Sequence, residues 1–271
     1  MKIIDFILQN GGGGGVTPSG TLSISSNGVY NVMSYASVDV SVAGDLLPSA
    51  INKTLTRLEY SDITAITTPG MFEFNLSLSY VSLPNCISLN SNVFHGCPIT
   101  ELYMPLLSSA SSAVFWGTRM SSVSFPNLPY VNQTLFYQCT KLESYYLPAV
   151  TYVSQGGFQV CTALPYVTFP LVSYIGQYAF SGCSALSTAE FSILAKISNN
   201  AFRDCKSLMS LYLYSDSVCS ASGANIFTNT PMAASSYTGA FGSVFVPASL
   251  VDSYKANSVW SSIADRITAI V

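Results

Sequence analysis

Charged side chains are scarce: they make up 8% of the 271 residues, ten basic against thirteen acidic, for a net charge of −3. The basic residues form no cluster, and a phosphate backbone demands a basic stripe, so nucleic acid is excluded as a partner. Histidine is nearly missing. His95 is the single one, and no His-Glu-x-x-His, Gly-x-Ser-x-Gly or phosphate loop occurs, so the sequence offers no catalytic residue, no metal site and no cofactor site. No run of about 18 apolar residues is present, which leaves no transmembrane helix to expect. The seven cysteines contain no Cys-x-x-Cys pair, which argues against a zinc or redox centre. Residues 1–10 hold a short apolar run broken by Asp5, with no small-residue cleavage site after it, so no secretory signal is evident.

What the chain does have is a metronome. Phenylalanine recurs at positions 72, 94, 115, 136, 158, 180 and 202, at intervals of 21 or 22 residues. Ten residues before each Phe from 94 onward lies the same corner: Pro84, Pro105, Pro126, Pro148, Pro170 and then Ser192. Two and five residues past the corner come apolar residues, as in Leu128/Val131, Val150/Val153 and Val172/Ile175. Three residues past the Phe comes a small one, five times cysteine (Cys97, Cys139, Cys161, Cys183, Cys205). A short alternating segment then leads to the next corner: Leu142-Tyr145-Leu147, Leu164-Val167-Phe169, Leu186-Ala189-Phe191. The two 21-residue intervals each lack one residue, after Cys97 and after Thr118. A segment of this length cannot bury an apolar face by itself, but a stack of them can, each coil covering the next. Proline ends the strand at the corner because it has no N–H for the ladder. With strands ~4.8 Å apart, about eight coils make a β-rich solenoid on the order of 40 Å long.

The residues Phe169-Pro170-Leu171-Val172-Ser173-Tyr174-Ile175-Gly176-Gln177-Tyr178-Ala179-Phe180-Ser181-Gly182-Cys183-Ser184-Ala185-Leu186 carry strand-Pro, Ile-Gly, Ala-Phe, Gly-Cys and Leu in the order of the BspA-like leucine-rich repeat, which this chain resembles over about residues 58 to 247. It departs from that pattern at Thr118, at Ser192 and in the last coil, where Phe227 arrives 25 residues after Phe202. The resemblance implies a right-handed leucine-rich-repeat stack with a parallel sheet, used for adhesion or recognition; it names no ligand.

The organisation expected is a leader and glycine linker (1–15), a small N-terminal β-module (16–45), the solenoid (46–247) and a C-terminal helical cap (248–271). Gly11 to Gly15 uncouple the apolar leader from the rest, which suggests that residues 1–10 dock to a larger assembly. Leu22, Ile24, Tyr30 and Val32 alternate around Asn27-Gly28, a hairpin signal. This module is similar to short Asn-Gly-x-Tyr modules of phage tail-associated and bacterial surface proteins. Ser249-Leu250-Val251-Asp252 has capping-box spacing, with Leu250, Val251, Tyr254, Trp260, Ile263 and Ile267 as the apolar face of a helix that covers the last coil. The cysteine column predicts buried corner fillers rather than disulfides.

Two candidate sites follow from the repeat phase. Alternation turns one face of the main strands outward, and there Tyr80, Glu101, Tyr103, Tyr146, Tyr166, Glu190 and Tyr212 form two adjacent columns with serine and threonine between. Tyrosine gives a large contact area at low entropy cost and serine adds adaptable hydrogen bonds. The alternative is the outer turn with His95, Trp116 and Tyr137 in one phase; no carboxylate is read in register with His95, so it is not taken as a catalytic or metal site. Glu101 and Glu190 lie four coils apart, on the order of 20 Å, too far for the ~5–10 Å of a glycosidase pair. The expectation is a non-catalytic recognition protein binding a cell-surface glycan or protein, placed on a virion (a phage tail attachment protein, favoured by the missing signal) or on a bacterial cell surface as an adhesin. A solenoid that only spaces other parts is the remaining alternative.

Overall fold

The protein structure, a computed structural model, describes residues 56–271 apart from 60, 62, 224 and 234–240, together with the backbone of 21–24 and 29–33. The leader, the linker, the Asn27-Gly28 turn and Val38 to Val42 lie outside the described residues. The hairpin strands β1 (Thr21–Ile24) and β2 (Val29–Met33) pair antiparallel.

Each coil then contributes two strands on either side of its corner. In chain order these are β3 (Arg57–Glu59) and β4 (Ala65–Ile66), β5 (Tyr80–Ser82) and β6 (Ser88–Leu89), β7 (Glu101–Tyr103) and β8 (Ser109–Ala110), β9 (Ser122–Ser124) and β10 (Tyr130–Val131). They continue with β11 (Ser144–Tyr146) and β12 (Tyr152–Val153), β13 (Tyr166–Phe169) and β14 (Tyr174–Ile175), β15 (Thr188–Phe191) and β16 (Lys196–Ser198), β17 (Ser210–Leu213) and β18 (Ser220–Ser222). A ninth turn opens with β19 (Ser243–Val246). From β3 to β19, odd-numbered strands stack in parallel on one side and even-numbered strands in parallel on another. Strand β2 joins β3 in parallel, so the hairpin backbone extends the main sheet.

The turns form a third ladder. Phe136, Phe158 and Phe180 donate their N–H groups to the carbonyls of Gly157, Ala179 and Ala201 in the following coil, at 2.9, 2.8 and 2.8 Å. To pass through this tight turn the chain takes a left-handed φ two residues before and two after the Phe: Gly156 (64°) and Val160 (63°) around Phe158, Tyr178 (58°) and Gly182 (76°) around Phe180. Glycine suits these positions; a β-branched residue such as Val160 adopts that φ only at a cost in strain.

Inside, the repeat phenylalanines form a continuous spine. Phe158 and Phe180 are fully buried with rings 5.4 Å apart and 4° from parallel, and the stack runs from Phe72 to Phe227. All seven cysteines are buried and free. The column has a specific role: Cys161 donates its S–H to the Phe136 carbonyl of the preceding coil at 3.1 Å, while that carbonyl also accepts the Cys139 N–H of its own coil at 3.2 Å. Cys183 and Cys205 repeat the contact on Phe158 and Phe180. Burial pushes the Cys139 and Cys183 thiols up to about 12.

The C-terminal segment departs from the expected helix. No side-chain cap from Ser249 or Asp252 forms; Pro247 ends β19 and a 3-10 turn, Ala248–Leu250, follows it directly, so α1 (Val251–Ala256) begins from Leu250. Ile267 belongs not to a helix face but to β20 (Ile267–Ala269), which adds to β19 in parallel, a placement that suits its β-branched side chain. The cap seals the even-numbered sheet with side chains. The Tyr254 hydroxyl accepts the Cys219 N–H at 2.8 Å, and the Trp260 indole N–H donates to the Cys219 carbonyl at 2.7 Å. Backbone groups beside the terminal strand are thereby satisfied without offering an edge to another chain. The Trp260 ring also lies 6.0 Å from Phe227, where the spine ends.

Candidate functional site

The alternation places the first candidate set as expected: in the odd-numbered strands from β3 to β19 inward and outward residues alternate, as in the exposed-buried-exposed pattern of β9. The outward tyrosines are not equivalent, however. Tyr103, Tyr146 and Tyr166 are 57%, 59% and 54% exposed, and among the described residues their side chains have no ring or hydrogen-bond partner. Tyr80 is half-buried, with the Arg57 guanidinium 3.4 Å over its ring. Tyr212 is half-buried between Phe245, whose ring is 4.5 Å away, and Tyr214 at 6.0 Å. Glu101 is exposed and Glu190 half-buried.

The difference follows from what stands on the next strand. Parallel strands set corresponding side chains close enough for rings to meet, and Tyr212 meets Phe245 in register. Tyr103 and Tyr146 have serine beside them, Ser124 being paired with Tyr146. Their ring faces stay open. The columns also contain a cation that the repeat phase did not reveal, Arg57, which pairs with Glu59 and draws that carboxyl below its usual range.

The main sheet is interrupted where these tyrosines stand: hydrogen bonding lapses between β7 and β9 and again between β11 and β13. The second gap has a visible cause. Tyr145 occupies an inward position that Val123 and Val167 fill in the coils beside it, and its ring is too long for that place. The ring stacks on Phe169 at 4.9 Å and its hydroxyl passes between the strands, accepting the Thr168 N–H at 2.7 Å and donating to the Thr168 carbonyl at 3.1 Å. Burial raises this phenol well above its ordinary range.

The second candidate set is brought together too. His95 and Trp116 stack at 4.5 Å, Trp116 meets Tyr137 edge-on at 4.6 Å, and Phe74 tilts against His95 at 4.6 Å. The expectation that no carboxylate shares the phase of His95 is wrong: Glu73 follows Phe72 as His95 follows Phe94, and its carboxylate lies 2.8 Å from the His95 Nδ1. Counting the phase from Phe72 finds it. The Trp116 indole N–H donates to Gln138 at 3.1 Å. These rings use their faces on one another.

A further column was missed. Tyr130, Tyr152 and Tyr174 lie in register on β10, β12 and β14, with Lys196 next on β16. Their signal is a residue four past the corner, between two core positions. Tyr152 and Tyr174 stack at 4.6 Å and 9°, the Lys196 ammonium lies 5.7 Å from the Tyr174 ring, and the Tyr174 hydroxyl meets that of Ser198 at 2.8 Å. Among the described residues no group of three or more His, Cys, Asp or Glu is placed to hold a metal ion, and no helix is long and apolar enough to cross a membrane.

With coil length, corner, spine and cysteine column established, residues 65–187 and 129–241 match the BspA type leucine rich repeat region, described in six copies. The chain belongs to that family. Among solved structures, this BspA-type chain is similar to a leucine rich cell surface protein from Faecalibacterium prausnitzii, at 16% identity over 82% of this chain and 76% of that one, with a TM-score of 0.48. It is also similar to a leucine-rich repeat protein from Bacteroides ovatus, at 14% identity over 81% and 85% of the two chains, with a TM-score of 0.38. No curated protein matches it. Membership therefore rests on the repeat itself.

Proposed function

We propose that this BspA-type solenoid is a non-catalytic recognition protein that works at a surface outside the cell, binding a cell-surface glycan or protein through the outward face of its odd-numbered strands. The observation that carries this is the set Tyr103, Tyr146 and Tyr166: large amphipathic rings, over half exposed, held on a packed sheet and, among the described residues, engaged by no other side chain. Side chains on a rigid scaffold lose little freedom on binding, and a few aromatic anchors then dominate the affinity. The turn ladder of His95, Trp116 and Tyr137 is the competing site, and its rings already partner one another.

Binding of the full chain to bacterial and epithelial cells, measured for Tyr103→Ala/Tyr146→Ala and for Trp116→Ala/Tyr137→Ala beside circular dichroism, tests this. Loss with the first pair and retention with the second is expected. The reverse pattern moves the site to the turns, and indifference to both leaves a structural spacer. Fractionation decides between the two settings: the protein in purified virions marks a phage tail component, and in a cell wall fraction a bacterial adhesin.

A further inference from the structure

We infer that the strand face takes a neutral polysaccharide by holding one pyranose ring in the slot between Tyr103 and Tyr146, above Ser124. This rests on the strand-face binding proposed above and specifies its ligand class.

The slot is set by the coil repeat. Tyr103 and Tyr146 stand in one outward column on strands β7 and β11, and the strand between them, β9, contributes Ser124. Two coil spacings of ~4.8 Å separate the tyrosine backbones by about 10 Å; where β7 and β9 do not pair, the turn ladder still joins their coils, as in the Gly96 N–H to the Trp116 carbonyl at 2.8 Å. Rings in adjacent coils of this protein can close on each other, as at 4.5 Å for Tyr212 and Phe245 and 4.6 Å for Tyr152 and Tyr174, although Tyr130 beside Tyr152 stays open. Ser124 prevents that closure. A flat ring sandwiched between two others uses about 7–8 Å, because carbon layers meet at ~3.5–4.0 Å on each side. A puckered pyranose chair, with hydrogens above and below its mean plane, is thicker than a flat ring and takes up more of that gap. Its apolar faces would meet the two tyrosines and its rim of hydroxyls would remain free.

The surroundings supply partners for that rim. Ser122, Ser124 and Ser144 are exposed, and among the described residues their hydroxyls make no hydrogen bond. Glu101 sits on the same strand as Tyr103, exposed, and accepts hydroxyl hydrogens. Charge on the strand face disfavours acidic polysaccharides; the exposed cations Arg119 and Lys141 lie in the turns before β9 and β11, outside the outward columns. The outward columns carry Glu59, Glu101 and Glu190, and their cation, Arg57, is engaged by Glu59 and Tyr80. An anionic sugar would face carboxylates with no free cation on these strands, whereas a neutral one meets a good acceptor.

Calorimetric titration of the full chain with dextran, mannan, galactan and chitotetraose, and with polygalacturonate as the acidic counterpart, tests the assignment. At least one neutral glycan is expected to bind and polygalacturonate is not. Ser124→Tyr, which fills the slot while keeping both tyrosines, should weaken that binding at least tenfold, and so should Tyr146→Ala, with unchanged circular dichroism and melting temperature. Should Ser124→Tyr misfold, Tyr146→Ala alone decides. Binding of no neutral glycan, a preference for polygalacturonate, or parental affinity in the slot variants overturns it. If Tyr103→Ala/Tyr146→Ala still abolishes cell binding in that case, the strand face stands with a protein ligand; if that variant binds cells like the parent, the strand face itself is refuted.

Discussion

Two faces of this solenoid carry tyrosine columns, and they differ in what each ring touches. On the even-numbered strands, Tyr152 and Tyr174 occupy successive coils, stack at 4.6 Å, and Lys196 continues the column. On the odd-numbered strands, serine separates Tyr103 from Tyr146, and both stay more than half exposed. The residue type is alike; the neighbours in the adjoining coils differ. Tyr152 and Tyr174, in successive coils, spend their faces on each other, whereas Tyr103 and Tyr146, two coils apart, leave theirs open to solvent. A column of aromatic residues is therefore no evidence of binding until the neighbouring coil is known.

Perturbing what both faces share should have the largest effects. Burial pushes Cys86 up to about 11 and Cys97 and Cys219 up to about 12, as it does Cys139 and Cys183. In the unfolded chain these thiols ionise near pH ~8.5. Above that pH the unfolded state holds fewer protons than the folded one, so stability is full below it and falls as pH rises toward 11–12, by ~1.4 kcal/mol per unit for each thiol. Urea midpoints at pH 8 and pH 10.5 should differ sharply; equal midpoints would mean the cysteines are not buried as thiols. Phe158→Ala removes one ring of the spine and should cost about 3–5 kcal/mol, loosening both faces together. A midpoint within error of the parent would remove the spine as the source of stability.

Smaller effects should separate the faces. Tyr103→Ala/Tyr146→Ala should lower affinity for the ligand by about 2 kcal/mol or more, roughly thirtyfold, and leave the melting temperature near that of the parent. Tyr152→Ala should do the opposite, costing about 0.5–1.5 kcal/mol of stability from the lost ring pair with cell binding intact. If Tyr152→Ala abolishes binding and leaves stability alone, the contrast between the faces fails.

Much of this was legible without the structure. The Phe period, the corner prolines and the cysteine phase announce coils whose apolar positions form one core, buried at all but a few places such as Leu102 and Tyr145, since a solenoid core is one pattern repeated. The outward tyrosines of the main strands followed from alternation alone. The second column at Tyr130, Tyr152 and Tyr174 was equally present in the repeat phase but was hidden between two core positions on strands of only two residues. Glu73 was missed beside His95 because the first coil lacks the corner proline from which the others were counted.

The C-terminal cap shows where local signals fail. Ser249 and Asp252 have the spacing of a capping box, yet the chain leaves β19 through Pro247 and a 3-10 turn, and Ile267 returns to the sheet as β20. An amphipathic pattern states that a side is buried; it does not state whether helix or strand does the burying.

By itself, then, the sequence determined the coil length, the inward and outward positions and the family, because each depends on periodicity within one repeat. Only the tertiary structure decided which rings meet, that the Tyr145 hydroxyl enters the gap to Thr168, and that Tyr254 and Trp260 satisfy the backbone of Cys219. The hydrogen bonds of Tyr145, Tyr254 and Trp260 join residues 23 to 41 positions apart. They depend on the register between coils and on side-chain length, and neither quantity is carried by the pattern of apolar and polar residues.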